Sequence, residues 1–287
     1  MTTPAPTRPL VSRLIERFRA LNLPSTPRPE DKPFLSGNRV VGWSVDFPIA
    51  RTCTPTKVCV NTCYYARDVT AIPHNLAKQN EVMESVLADP VGSAHRIAAE
   101  FKRKRGAAFL RWNGGGDLFP ESVECLNTLG KHYPDLPVWV VTRKPKVAAL
   151  VEEAENVFLH LSLDSSSRGR LQEWLALPKR TTKWFASYQC NRDEDVDLDS
   201  LGRAGFSVVF RDGYKTLPKD TGEDGLRVSC PLNGSPSVED GCKNCGRCWT
   251  RAAVDMRNTE ALARWVEEPA TSSHAPAHFL LWEVESR

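Results

Sequence analysis

The sequence predicts an α/β protein, a partial (βα)6 TIM-type barrel with an N-terminal arm and a C-terminal cysteine-rich, metal-binding extension. Three observations lead there. Six runs of strand character alternate with segments of helical period between residues 40 and 210, the pattern of parallel strands joined by right-handed crossovers. Seven of the nine cysteines gather in two groups, one directly after the first strand. Several strands end in polar or glycine-rich stretches, at the edge where parallel α/β folds place their chemistry.

The elements follow in order. Residues 1–37 read as a proline-rich basic arm with one amphipathic stretch, 11–21, in which Leu14, Phe18 and Leu21 share a helical face. The arm is expected to pack on the main domain. Residues 38–213 form the barrel unit, with strands predicted at 40–46, 108–112, 137–142, 157–163, 183–189 and 206–210. Helices are predicted at 76–87, 91–105, 121–133, 146–153 and 169–177, with a shorter one at 198–204. No GxGxxG turn follows the first strand, so a dinucleotide fold has no specific support. Residues 214–287 hold a Gly/Pro/Asp/Ser-rich loop, the second cysteine group, a helix at 251–267 and an apolar run at 279–284.

Composition narrows the function. Hydrophobic content of 41% and charged content of 25% are those of an ordinary globular chain. No apolar run is long enough to span a bilayer, and the first ten residues lack the apolar core of a secretory signal. A cytoplasmic protein without membrane association is expected. Thiols are kept reduced there, so nine cysteines point to metal or redox chemistry rather than disulfides. A net charge of +3 does not by itself imply nucleic acid.

Cys53, Cys59 and Cys63 stand at spacings x5 and x3 in a polar loop. Three thiolates without a fourth leave one coordination position free, and on a four-iron cluster that means one iron able to take an external ligand. A zinc site completed by His74 is the alternative at this loop. Cys230, Cys242, Cys245 and Cys248 follow a C-P…C-x2-C-x2-C pattern, a ferredoxin-type ligand set for a closed [4Fe–4S] cluster, with zinc as the alternative. Cys125 and Cys190 read as core residues.

The barrel rim is polar. In 157–164, Leu159, Leu161 and Leu163 alternate with His160, Ser162 and Asp164, which would face inward. The second strand ends in Gly114, Gly115, Gly116 and Asp117, bare backbone that a ligand could touch beside a carboxylate that could accept from an amine. Thr142 and Arg143 close the third strand, and Arg211 and Asp212 the sixth; either arginine could pair with a substrate carboxylate or phosphate, or with a surface acid.

Together these residues resemble the radical S-adenosylmethionine superfamily, on Cys53/Cys59/Cys63, Gly114–Asp117 and Ser162–Asp164 over residues 39–212. The third position of that family's C-x3-C-x2-C motif falls on Ala66 here, and Cys53 stands in its place. The CVNTCYYA stretch and the closing GCKNCGRCW also resemble the phage gene product 88 domain family. The first resemblance implies an open [4Fe–4S] cluster that binds and reductively cleaves S-adenosylmethionine. It further implies that Gly114–Asp117 hold the methionine amine and that Ser162 or Asp164 hold the ribose or substrate. An electron donor such as a flavodoxin or ferredoxin and a small-molecule or nucleic-acid substrate would be the partners. The second cluster would relay electrons or staple the C-terminal region. The alternative is a non-catalytic protein whose metal centres only hold loops in place, touching nucleic acid through 102–105 and 13–19. A weaker third reading is a barrel hydrolase or base-modifying transferase with structural zinc.

Overall fold

A computed structural model describes residues 10–21, 23, 25–38, 41–63, 65–66, 72–176, 184–190, 194–211, 230, 241–245 and 248–249. Most of the predicted 213–241 loop, the 251–267 helix, the 279–284 run and Asp212 lie outside them.

The protein is a mixed α/β structure around one seven-stranded sheet. Its strands are β1 (Ser36–Asn38), β2 (Gly42–Val45), β3 (Leu110–Trp112), β4 (Val138–Thr142), β5 (Val157–Leu163), β6 (Trp184–Cys190) and β7 (Phe206–Arg211). They lie side by side in chain order. β2 to β7 are parallel, each to its neighbour, and match the six predicted runs. β1 is additional and antiparallel to β2. Its Ser-Gly-Asn sequence carries no strand signal; the hairpin forms because Asn38 Oδ1 accepts from the Val41 amide at 2.9 Å and Gly42 takes a φ of +97° that disfavours side chains. A closed barrel is not seen: among the described residues no pairing joins β7 to β1 or β2.

The crossover segments supply helices Pro73–Ala88, Pro90–Lys102, Pro120–His132, Pro145–Ala148, Arg168–Leu175 and Leu198–Arg203. Four of them open on a proline in the first turn, where the missing N–H would lack a helical partner anyway. The helix predicted over 146–153 stops early. Asn127 bridges the Leu150 carbonyl at 3.2 Å and the Glu152 amide at 2.9 Å, and so holds those groups out of a helical ladder. No described helix is long and apolar enough to cross a membrane.

Alternation along the strands divides the sheet's two faces. Val45, Leu110, Trp112, Val138, Val140, Leu159, Leu161 and Leu163 pack with Val86, Ile97, Leu126 and Leu129 of the helices in the main core. Each such side chain contributes roughly 1.5–3 kcal/mol on burial. Cys125 and Cys190 are fully buried in the same core, as their sequence contexts suggested. The opposite face carries Arg111, Trp139, Phe158, His160 and Phe185, with Trp249 of the C-terminal segment packed against Phe158 and Phe185.

The arm packs on the main domain. Glu100 accepts from the amides of Phe34 (2.7 Å) and Leu35 (3.2 Å), and Lys78 donates to the Leu35 carbonyl at 2.7 Å. Arg96 donates to the carbonyls of Arg28, Pro29 and Lys32 and lies over the Phe34 ring. Helix Leu10–Ala20 lays Leu14, Ile15 and Phe18 in a second cluster with Ile49, Tyr65, Leu76, Cys53 and Cys63, which puts it against the first cysteine loop.

Candidate metal centres

The first cysteine loop follows β2 and leaves the sheet at the C-terminal edge of the parallel strands. It folds as two short helices, Ile49–Thr52 and Lys57–Thr62. Thr56 caps the second: its Oγ1 accepts from the Cys59 amide at 3.1 Å. Cys53, Cys59 and Cys63 are partly buried. Their thiols act on one another. Cys59 and Cys63 share a hydrogen bond that holds the proton on Cys59 and lowers the pKa of Cys63 against the cost of its burial. Burial, the Asp117 charge and Cys59 together raise Cys53. Arg143 works the other way on Cys59, favouring its thiolate.

The glycine run faces this loop across the rim, and the space above it belongs to the protein itself. A Cβ on Gly115 would stand 2.0 Å from Tyr65 Cε1; one on Gly114, 2.3 Å from Asp46 Oδ1. Gly116, at φ +85°, lies against Phe47 and Thr52. The glycines thus let the cysteine loop seat against β3. Asp117 is buried with both oxygens engaged: Oδ1 accepts from Thr142 Oγ1 (2.5 Å) and the Leu118 amide (2.7 Å), Oδ2 from the Arg143 amide (3.2 Å). Burial raises its pKa, opposed by the Thr142 hydrogen bond. Asp164 is fully buried at the end of β5. Its Oδ2 accepts from Thr56 Oγ1 (2.5 Å) and Arg143 Nη1 (2.7 Å), its Oδ1 from the amide and hydroxyl of Ser166 (2.9 and 2.7 Å). Ser162 is buried, and its carbonyl accepts from Arg143 at 3.4 Å. His74, the alternative fourth ligand, is exposed at the start of helix Pro73–Ala88.

The second group sits on the aromatic face of the sheet. Cys242–Cys245 forms one helical turn, and the Cys230 amide donates to the Val209 carbonyl of β7 at 3.0 Å. Trp249 donates to the Cys242 carbonyl at 3.2 Å and stacks on Phe109. His160 Nε2 lies 3.1 Å from the Cys248 carbonyl; a carbonyl only accepts, so Nε2 carries the hydrogen. Burial pushes the His160 pKa down to about 4. Cys248 is raised by burial and then by Cys230, Cys242 and Cys245, so all four thiols lie within one another's field. Burial brings Cys242 up to about 11, with Arg111 opposing it.

The gene product 88 family profile matches residues 22–251, a span containing both cysteine groups. The chain belongs to the gene product 88 family. No curated protein and no solved structure matches it.

In this gene product 88 protein the donor chemistry of both groups fits a thiophilic cation. Burial and neighbouring thiols raise the pKa of Cys53 and Cys248, which makes them costly to ionise, and a bound cation would reverse that sign. As the side chains stand, no group of three or more His, Cys, Asp or Glu among the described residues is close enough to hold a metal ion. Two features of this gene product 88 chain escaped sequence reasoning. Arg111, set 4.8 Å from the Trp139 ring, lies on the same face as this group and favours the thiolates of Cys242 and Cys248, with nothing local to signal it. Thr56 could have been found from its place three residues before Cys59, the spacing of a helix cap.

Proposed function

We propose that this chain is an iron–sulfur enzyme of the radical S-adenosylmethionine type, built on a partial (βα)6 barrel. Cys53, Cys59 and Cys63 would hold a [4Fe–4S] cluster with one open iron, and Cys230, Cys242, Cys245 and Cys248 a second, closed centre. The observation that carries this reading is the placement of three cysteines within eleven residues of one loop that follows β2 at the C-terminal edge of the parallel strands. Six parallel strands in unbroken chain order, the arrangement of a barrel before closure, support the architecture.

When bound, a reduced cluster of this kind supplies one electron to the sulfonium of S-adenosylmethionine. The chain's own residues would do the rest. Arg143, beside Asp164, keeps positive charge near Cys59 and favours its thiolate. Ser162 would offer a hydroxyl to a ribose or substrate. Helix Leu10–Ala20 screens Cys53 and Cys63 from water. An external donor such as a flavodoxin or ferredoxin would supply the electron, and zinc is the alternative occupant at the C-terminal centre.

A second reading, metal centres that only hold loops, is favoured by one observation. Asp117 and Asp164, the acids the resemblance assigns to S-adenosylmethionine, already have every carboxylate oxygen bonded within the protein. Anaerobic purification separates the readings. Iron and sulfide, with 5′-deoxyadenosine released on adding dithionite and S-adenosylmethionine, are expected for the enzyme. Iron without 5′-deoxyadenosine supports the second reading, and zinc-loaded, iron-free protein overturns the first.

A further inference from the structure

We infer that Thr56, Asp164 and Arg143 form a clamp that shapes the first cysteine loop before any metal arrives, with Thr56 positioning Cys59. The inference rests on the proposed reading only in taking Cys59 as a metal ligand. Thr56 Oγ1 gives its one proton to Asp164 Oδ2 at 2.5 Å and takes the Cys59 amide hydrogen at 3.1 Å, so the hydroxyl is used in both directions. Its partners are 108 residues apart and three residues apart in sequence, which ties a short loop helix to the end of a central strand. A six-residue helix does not hold itself in water, so its shape must come from such ties.

The anchor is itself immobilised. Asp164 is held by Arg143 Nη1 and by Ser166, and Arg143 by the hydrogen bond its backbone N–H donates to Asp117 Oδ2 and by Arg170, which donates to the Arg143 carbonyl at 2.6 Å. Arg170 also reaches the Thr54 carbonyl at 3.3 Å, a second tie to the same loop. Asp164 and Thr56 are buried, where an unmade hydrogen bond is costly and a made one is rigid. Asp164 therefore acts on the loop that holds the metal rather than on a ribose.

The test uses the full chain with Thr56→Val, which keeps the shape and removes both hydrogen bonds, and Thr56→Ser, which keeps them. Two quantities are read: amide hydrogen exchange at Cys59 in metal-free protein, and the rate at which a chelator strips metal from each cysteine group. Thr56→Val is expected to speed exchange at Cys59 and to release metal from the three-cysteine group roughly 10–100-fold faster. The four-cysteine group should release at the parent rate, and Thr56→Ser should restore both readouts. Unchanged exchange and release in Thr56→Val, or equal weakening of both groups, overturns the clamp. Should Thr56→Val not fold, Thr56→Ala, which removes the same two hydrogen bonds without the branched side chain, takes its place under the same outcomes. A chain that takes up no metal at all sinks the proposed function, while exchange at Cys59 still decides the clamp.

Discussion

Trp249 lies stacked on Phe109, with ring centroids 4.9 Å apart and planes at 20°. Phe109 precedes β3, so this pair fastens the last described residues of the chain to the N-terminal end of the sheet. Offset aromatic pairs of this kind are worth about 1 kcal/mol beyond the area they bury. Trp249→Ala is expected to loosen the four-cysteine group while leaving the first loop intact. Metal titration of the variant should show weaker uptake at one group only; equal loss at both would refute this.

Gly115→Ala places a methyl where Tyr65 Cε1 already lies, 2.0 Å away. Tyr65 is buried, so one of the two must shift. A loss of about 1–3 kcal/mol in urea unfolding is expected. Combining it with Tyr65→Ala should cost less than the sum of the two single changes, because the clash is then gone.

Glu100→Ala removes the acceptor for two amides of the arm, Phe34 and Leu35. Leaving buried amides unpaired costs about 1–3 kcal/mol. Limited proteolysis should cut the variant before residue 36 far faster than the parent, with fragments of the sheet domain left whole.

His160 is neutral in the folded protein, with its pKa pushed down to about 4 by burial. The unfolded chain binds that proton near pH 6.5, so it gains protons first as pH falls. Stability from this residue is complete above pH 6.5 and drains away between there and pH 4, by up to ~1.4 kcal/mol per pH unit. His160→Gln should flatten the decline in unfolding free energy over that window. An unchanged slope would remove His160 as its source.

How much of this was legible depended on how far apart the cooperating residues are. The seven residues of β5 could be read directly, because Leu159, Leu161 and Leu163 alternate with polar neighbours on one local segment. The cysteine spacings were equally local. The glycine run looked like open backbone, and only the fold brings Tyr65, fifty residues earlier, onto Gly115. Asp164 looked like a ligand contact for the same reason, since its partner Thr56 lies in a distant loop. The hairpin strand β1 was invisible because its residues carry no strand preference and depend on the turn at Gly42.

The chain-order sheet also sets a timetable for synthesis. Each parallel strand is laid against the one translated just before it, so the sheet can lengthen strand by strand as the chain emerges, with little waiting for distant segments. The three-cysteine loop appears after the first of these strands; the four-cysteine group appears only after the last. Until then Phe109, Phe158 and Phe185 have no Trp249 to rest against. A nascent chain halted before residue 230 would therefore display an oily aromatic face, the kind of surface that chaperones hold until the missing tail arrives.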